Sequence, residues 1–199
     1  MSGLRPDPRR GSVSRATKET SVELTIDLDG GPIEVSTPVD FLDHMLEAFA
    51  KHAGCGLVVR AAGDGMDQHH AIEDVGIALG KAIYDALGEK RGIARFGWSL
   101  VPLDEALVAA SVDISGRSYL NFNVSFLREN LGQMPTEMVG EFFRAVTDNA
   151  KITLHLVQMS GRVAHHVCEA AFKAFARAFA MAKAPGGDGS IPSTKGVIE

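Results

Sequence analysis

Two copies of a His-His-x-x-Glu motif, each opening a stretch that reads as a helix, leave this chain few ways to fold. His69, His70 and Glu73 lie in DQHHAIED, and His165, His166 and Glu169 lie in VAHHVCEA, 96 positions on. After the first motif Ile72, Val75, Leu79, Ala82, Ile83 and Ala86 share one face. The same spacing after the second gives Cys168, Ala171, Phe175, Ala178, Phe179 and Ala182. All are apolar or small, as the core-facing stripe of an amphipathic helix requires. Any two amphipathic helices share such a stripe, but the shared opening motif points to a duplicated supersecondary unit.

The flanks repeat as well. Residues 1–12 are polar, carry Pro6 and Pro8, and are expected to form a mobile arm. Alternation over 14–26, with Val22, Leu24 and Ile26 on one side, predicts a strand. A turn over 29–32, with the strand resuming at Ile33 and Val35, predicts a hairpin. Pro38 and Asp40 introduce a helix that Gly54 closes, and residues 57–59 read as a strand before the first motif helix, which stops before Gly88. In the second half, strands are expected over 107–114 and 119–126 around a turn at 115–117. A helix from about Thr136 to Asn149, a strand over 152–157 and the second motif helix follow. The expected organisation is therefore an arm over 1–12, half-repeats over 13–91 and 92–184, and a tail over 185–199.

Helix geometry then constrains the chemistry. Residues four apart share a face, whereas adjacent ones diverge by about 100°. His69 can act with Glu73 while His70 reaches a different ion, and His165, Glu169 and His166 repeat that arrangement. Two metals per site follow, bridging parts of the chain or of neighbouring subunits. His44 aligns with Glu141, and both residue types bind borderline or hard divalent ions. His155 competes with Glu141 as a ligand but aligns with Val58 inside a strand. Cys168, three residues after His165, is positioned either to face the same ion or to fill the core; its counterpart Ile72 favours the core.

The bulk properties mainly exclude. A chain of 199 residues buries a sizeable core as one large domain or two small ones. A formal net charge of −5 argues against nucleic acid as the main partner. Two cysteines, Cys55 and Cys168, imply no disulfide framework. No apolar run approaches the roughly 18 residues that span a bilayer, and the start lacks the apolar centre of a signal peptide. A cytoplasmic protein with no membrane partner is expected.

The segments RATKET (15–20), FLDHMLEAFAKH (41–52), DQHHAIEDVGIALG (67–80), RFG (95–97), PLDEAL (102–107), DISGR (113–117), HHVCEAAFKAFARA (165–178) and PSTKG (192–196), in this order and spacing, resemble the imidazoleglycerol-phosphate dehydratase family of histidine biosynthesis. The resemblance implies an α+β fold of two similar halves, each a four-stranded sheet with two helices on one face, of the ribosomal protein S5 domain 2-like type. It also implies a homo-oligomer of 24 subunits with active sites between subunits and two Mn2+ ions in each. The reaction implied is dehydration of D-erythro-imidazole glycerol phosphate to imidazole acetol phosphate, through a dimetal-bound imidazolate and a diazafulvene-like intermediate. The C–H proton has no neighbouring carbonyl to stabilise a carbanion, so metal coordination of the ring would supply the electron sink.

The metal ligands implied are His44, His69, His70, Glu73, Glu141, His165, His166 and Glu169. Imidazole and carboxylate without thiolate suit manganese, iron or zinc by softness alone. Glu19 matches a substrate-contacting carboxylate and is the candidate acid/base group or diol anchor, with Glu73 and Glu169 as further catalytic candidates. His44, His52 and His165 match substrate-site positions. Arg95, Arg117, Lys173, Ser193, Thr194 and Lys195 match the cationic and donor groups that a substrate phosphate needs. Asp104, Glu105 and Asp113 are given no role beyond support. Ser118 departs from a common proline and Val163 from a common asparagine, which touches only local loop geometry; Glu141 stands where relatives carry histidine or glutamate. The alternatives are a dinuclear-metal phosphate-ester hydrolase, which would free inorganic phosphate, and a non-catalytic metal-binding module, which would leave Glu19 without a purpose.

Overall fold

In the computed structural model, which describes residues 9–198, the chain folds into the same unit twice. The first unit runs β1 (Arg10–Ala16), β2 (Thr20–Asp27), β3 (Ile33–Ser36), α1 (Asp40–Ala53), β4 (Gly56–Gly63) and α2 (Gln68–Leu87). The second runs β5 (Phe96–Leu103), β6 (Ala106–Asp113), β7 (Tyr119–Asn123), a small hairpin of β8 (Asn130–Leu131) and β9 (Met134–Pro135), α3 (Glu137–Ala150), β10 (Thr153–Ser160) and α4 (Ala164–Lys183). The sheets share one order, β1-β2-β4-β3 and β5-β6-β10-β7. In each, the last pair is parallel and the others antiparallel. Parallel neighbours need a crossover, and α1 and α3 supply it. The α+β duplication is therefore present. Among the described residues no helix is long and apolar enough to cross a membrane.

Four local expectations change. Residues 1–8 of the arm lie outside the described residues, and Arg10, Gly11 and Ser12 belong to β1, where they pair with Asp27, Ile26 and Thr25. The run over 14–26 is two strands rather than one: the Thr17 hydroxyl accepts the N–H groups of Glu19 and Thr20, folding the chain into a turn. β3 does not form a hairpin with β2, because β2 already has β1 on one edge and β4 on the other. It joins the far edge of β4 in parallel, Ile33 beside Leu57 and Val35 beside Val59. In the second half, the strand expected over 119–126 ends at Asn123. Strand β5 escaped periodicity because its pattern is inverted: Phe96, Trp98 and Leu100 point outward and are exposed, while Gly97 and Val101 are buried.

The two units meet helix to helix, α1 on α4 and α2 on α3. Phe49 of α1 stacks on Phe175 of α4 with centroids 5.2 Å apart and lies 6.1 Å from Phe179, while within the second unit Phe143 of α3 lies 4.8 Å from Phe172. The Phe49 contacts add an aromatic pairing across the boundary to the aliphatic packing there. The strands approach their helices very closely at two matched glycines: a Cβ on Gly11 would collide with the Ala82 carbonyl oxygen, and one on Gly97 with that of Ala178. Gly97→Ala is expected to lower stability by about 1–3 kcal/mol or more, as overpacking does. Chemical denaturation checks this, and an unchanged midpoint would mean that strand and helix separate freely there.

Candidate metal centre

Each motif helix starts under a carboxylate. The Asp67 side chain accepts the His69 N–H at 2.9 Å and caps α2. Val163 offers α4 no such oxygen, and Glu105, from the β5–β6 turn, reaches across instead: its Oε1 accepts the N–H groups of Val163 at 2.8 Å and Arg162 at 3.1 Å. The adjacent histidines diverge as helix geometry demands, with ring planes 72° apart at His69 and His70 and 86° apart at His165 and His166.

Helix α1 brings His44 to the start of α4. Glu169 Oε2 lies 3.1 Å from His165 Nε2 and 3.5 Å from His44 Nε2. One donor atom from each of these three residues lies within 4.8 Å of the others. Phe41 braces both rings edge-on, at 5.3 Å from His165 and 6.4 Å from His44. The other oxygen of Glu169 takes the Lys173 ammonium at 2.6 Å. Burial pushes the Glu169 carboxyl up, but the Lys173 bond and charge, with His165 and His44, outweigh it and hold the group below its ordinary value. The carboxylate therefore stays ionised, as a ligand must.

The matching trio in the other half is only partly drawn together. His69 Nε2 lies 3.6 Å from Glu73, while Glu141 turns to Arg144 at 3.3 Å. His155 stands on β10 beside Tyr119, 5.5 Å between centroids, outside both groups. Cys168 is fully buried, and its thiol is pushed up by burial, then by the Glu169 charge, so it behaves as core.

The second histidine of each motif faces a different carboxylate. His70 Nδ1 is buried with no hydrogen-bond partner, 3.6 Å from Glu19 and 3.9 Å from Asp64. His166 Nδ1 is bonded to Glu105 at 2.8 Å. That bond lifts the His166 pKa; the Glu105 carboxyl is held down to about 2 by His166 first, then by the Val163 and Arg162 amides. Sequence reasoning left Glu105 without a role, although strand register makes it the counterpart of Glu19: Thr20 and Ala106 open equivalent strands directly after them. Converging imidazole and carboxylate donors, and an orphaned ring nitrogen, fit divalent cations.

The phosphate candidates divide into two places. Lys173 and His52 lie near the His44 trio, and His52 is held below its ordinary value by burial, then by the charges of Lys173 and Arg177. Arg95 instead pairs with Asp113 at 2.8 Å and donates to the Pro192 carbonyl, while its backbone N–H bonds to Ala182. Ser193, Thr194 and Lys195 form a turn beside it, and Arg117 is exposed beyond the end of β6. At 1.5 Å per residue, Ala182 and His165 are separated by about 25 Å along α4. Within one chain, then, the Arg95 group and the His44 trio occupy opposite ends of the same helix.

The model of the imidazoleglycerol-phosphate dehydratase family matches residues 37–179. The chain is similar to the imidazoleglycerol-phosphate dehydratases of Acidiphilium cryptum, at 54% identity over 96% of this chain and 99% of that protein, and of Microcystis aeruginosa, at 52% over 96% and 93%. Its structure is similar to that of the Staphylococcus aureus enzyme, with TM-score 0.81, 39% identity and coverage of 88% of this chain and 99% of the other. It is also similar to the Pyrococcus furiosus enzyme in complex with (S)-C348, with TM-score 0.82, 38% identity and coverage of 93% and 99%.

The contact between Glu105 and His166 makes a measurable difference. In metal-free protein, Glu105→Gln removes the anion that raises His166, so the imidazole should titrate at a lower pH than in the unaltered chain. Proton NMR of the ring follows this, and an unmoved titration would show that the carboxylate does not govern the ring.

Proposed function

Since the chain belongs to the imidazoleglycerol-phosphate dehydratase family, we propose that it converts D-erythro-imidazole glycerol phosphate to imidazole acetol phosphate and water with two manganese ions in each active site. The enzyme is a hydro-lyase of histidine biosynthesis, and its substrate is a phosphorylated imidazole. The observation that carries the metal-dependent reading is the convergence of His44, His165 and Glu169 from helices of different halves.

Those three would hold one ion, and His69, Glu73 and Glu141 the other. His70 and His166, turned away from their own trios, would complete the shells of neighbouring subunits. When bound, the ions act as Lewis acids on the imidazole ring. Going from the glycerol side chain to the acetol, hydroxide leaves the carbon joined to the ring and a proton leaves the next carbon. The enol so formed then gains a proton at the ring-bearing carbon as its hydroxyl becomes the ketone. Glu19, beside His70 and with no hydrogen bond tying its carboxylate to a backbone amide among the described residues, is the group we assign to proton transfer at the side chain. Lys173, His52, Arg95, Arg117, Ser193, Thr194 and Lys195 would hold the phosphate; a dianion there would also relieve the cationic pressure on His52.

The separation along α4 supports sites shared between subunits, with the Arg95 and tail group of one chain meeting the His44 trio of another. The exposed Phe96, Trp98, Leu100 and Tyr119 on the outer face of the second sheet support burial of that face in a large assembly, read here as 24 subunits. Two half-repeats meeting near residue 91, a tail from 185 and a cytoplasmic location complete the reading.

Metal-reconstituted protein incubated with the substrate should form the ketone without releasing inorganic phosphate; phosphate release would point to a hydrolase instead. Glu19→Gln should keep metal content near that of the unaltered enzyme while turnover falls by about 100-fold or more, the usual weight of a general acid/base. Chelation should abolish turnover and move the large particle towards smaller species in size-exclusion chromatography with light scattering, since ligands shared between subunits couple metal binding to assembly.

A further inference from the structure

The two halves hold their first turns by different means. In the first half, Asp74 lies on α2 directly after Glu73 and is only 8% exposed. Its Oδ1 takes Arg15 Nε at 2.9 Å and a second guanidinium nitrogen at 2.8 Å, and its Oδ2 takes the Thr20 hydroxyl. Arg15 and Thr20 flank the turn that carries Glu19. The equivalent residues in the second half follow from register and helix alignment: Arg15 pairs with Val22 as Val101 pairs with Val108, Thr20 corresponds to Ala106, and Asp74 to Ala170. All three, Val101, Ala106 and Ala170, are buried and apolar. The same backbone thus closes this spot with hydrocarbon, and the charged arrangement is not something the fold requires. A buried ion pair is often no more stabilising than well-packed apolar residues, so its presence in one half alone asks for another reason.

The turns themselves supply it. In the second half the turn glutamate, Glu105, is tied by its own carboxylate to two backbone amides and His166, and Ser160 bonds to its carbonyl. Its carboxylate is spent on holding the turn in place. Glu19 makes no such bonds: its carboxylate approaches His70 only at 3.6 Å. We infer that Arg15, Asp74 and Thr20 form a clamp that fixes the Glu19 turn to the metal-ligand helix from behind, leaving the Glu19 carboxylate free for the substrate. They are positioning residues, and the inference rests on the catalytic reading of Glu19.

The test transplants the second half's solution into the first, as the triple variant R15V/T20A/D74A, studied as the metal-loaded assembly. Metal content and thermal midpoint should stay close to those of the unaltered enzyme. Amide hydrogen exchange over 16–20 should accelerate, and kcat should fall about 100-fold with KM within about threefold, as expected when a reacting group is displaced rather than removed. Thr20→Ser, which keeps the hydroxyl, should retain kcat, and the near-isosteric Thr20→Val should lose it. A folded triple variant with kcat within about threefold of the unaltered enzyme overturns the clamp. If the triple variant does not assemble, equal kcat in Thr20→Ser and Thr20→Val overturns it, and loss confined to Thr20→Val upholds it. Glu19→Gln separates the two claims: an inactive Glu19→Gln beside an active triple variant removes the clamp alone, whereas an active Glu19→Gln removes the role of Glu19 itself.

Discussion

Helix α1 packs on α4, across the boundary between the halves, and the position of every candidate ligand depends on that crossing. Were α1 to lie on its own motif helix, His44 would stand beside His69 and Glu73. Instead the stacking of Phe49 on Phe175 sets the lateral register, and Phe41 against His165 sets it again one end further along. With two apolar contacts fixing the helices, His44 has little freedom left except to face Glu169. The second cross-pair, α2 on α3, sets the helices that carry Glu73 and Glu141 side by side, though there the Glu141 carboxylate turns to Arg144.

Duplication supplied two copies of each device, and the copies have since taken different work. Glu19 and Glu105 hold equivalent places, yet one faces His70 at 3.6 Å and the other anchors a helix start that Val163 leaves uncapped. The Lys173 ammonium has no cationic counterpart in α2, where Ile77 occupies the equivalent turn. Lys173, with His165 and His44, keeps the Glu169 carboxyl below its ordinary value, and it extends the His44 trio towards His52 and Arg177.

Much of this was legible in the residues alone. The helices, the stop at Gly54 and the divergence of adjacent histidines follow from local geometry, which is encoded within a few positions. The pairing of β3 was not, because which edge a short strand joins depends on which edges are already taken. β5 was hidden because its large apolar residues, Phe96, Trp98 and Leu100, lie on the exposed side of the strand. Glu105 was overlooked for a simpler reason: the halves are offset differently before and after the insertion that contains β8 and β9, so aligning only the motif helices did not bring Glu19 and Glu105 into register. The arrangement around Asp74 lies beyond any local pattern, since it joins a strand, a turn and a helix far apart in the chain.

The cross-packing also makes the two halves depend on each other. A lone half would carry one α1-type helix and one motif helix that do not meet, and so could gather no three-ligand cluster by itself. Neither half is therefore complete without the other: the helix pairs that join them are also what carries His44 to Glu169, so parting the halves would dismantle the cluster together with the interface.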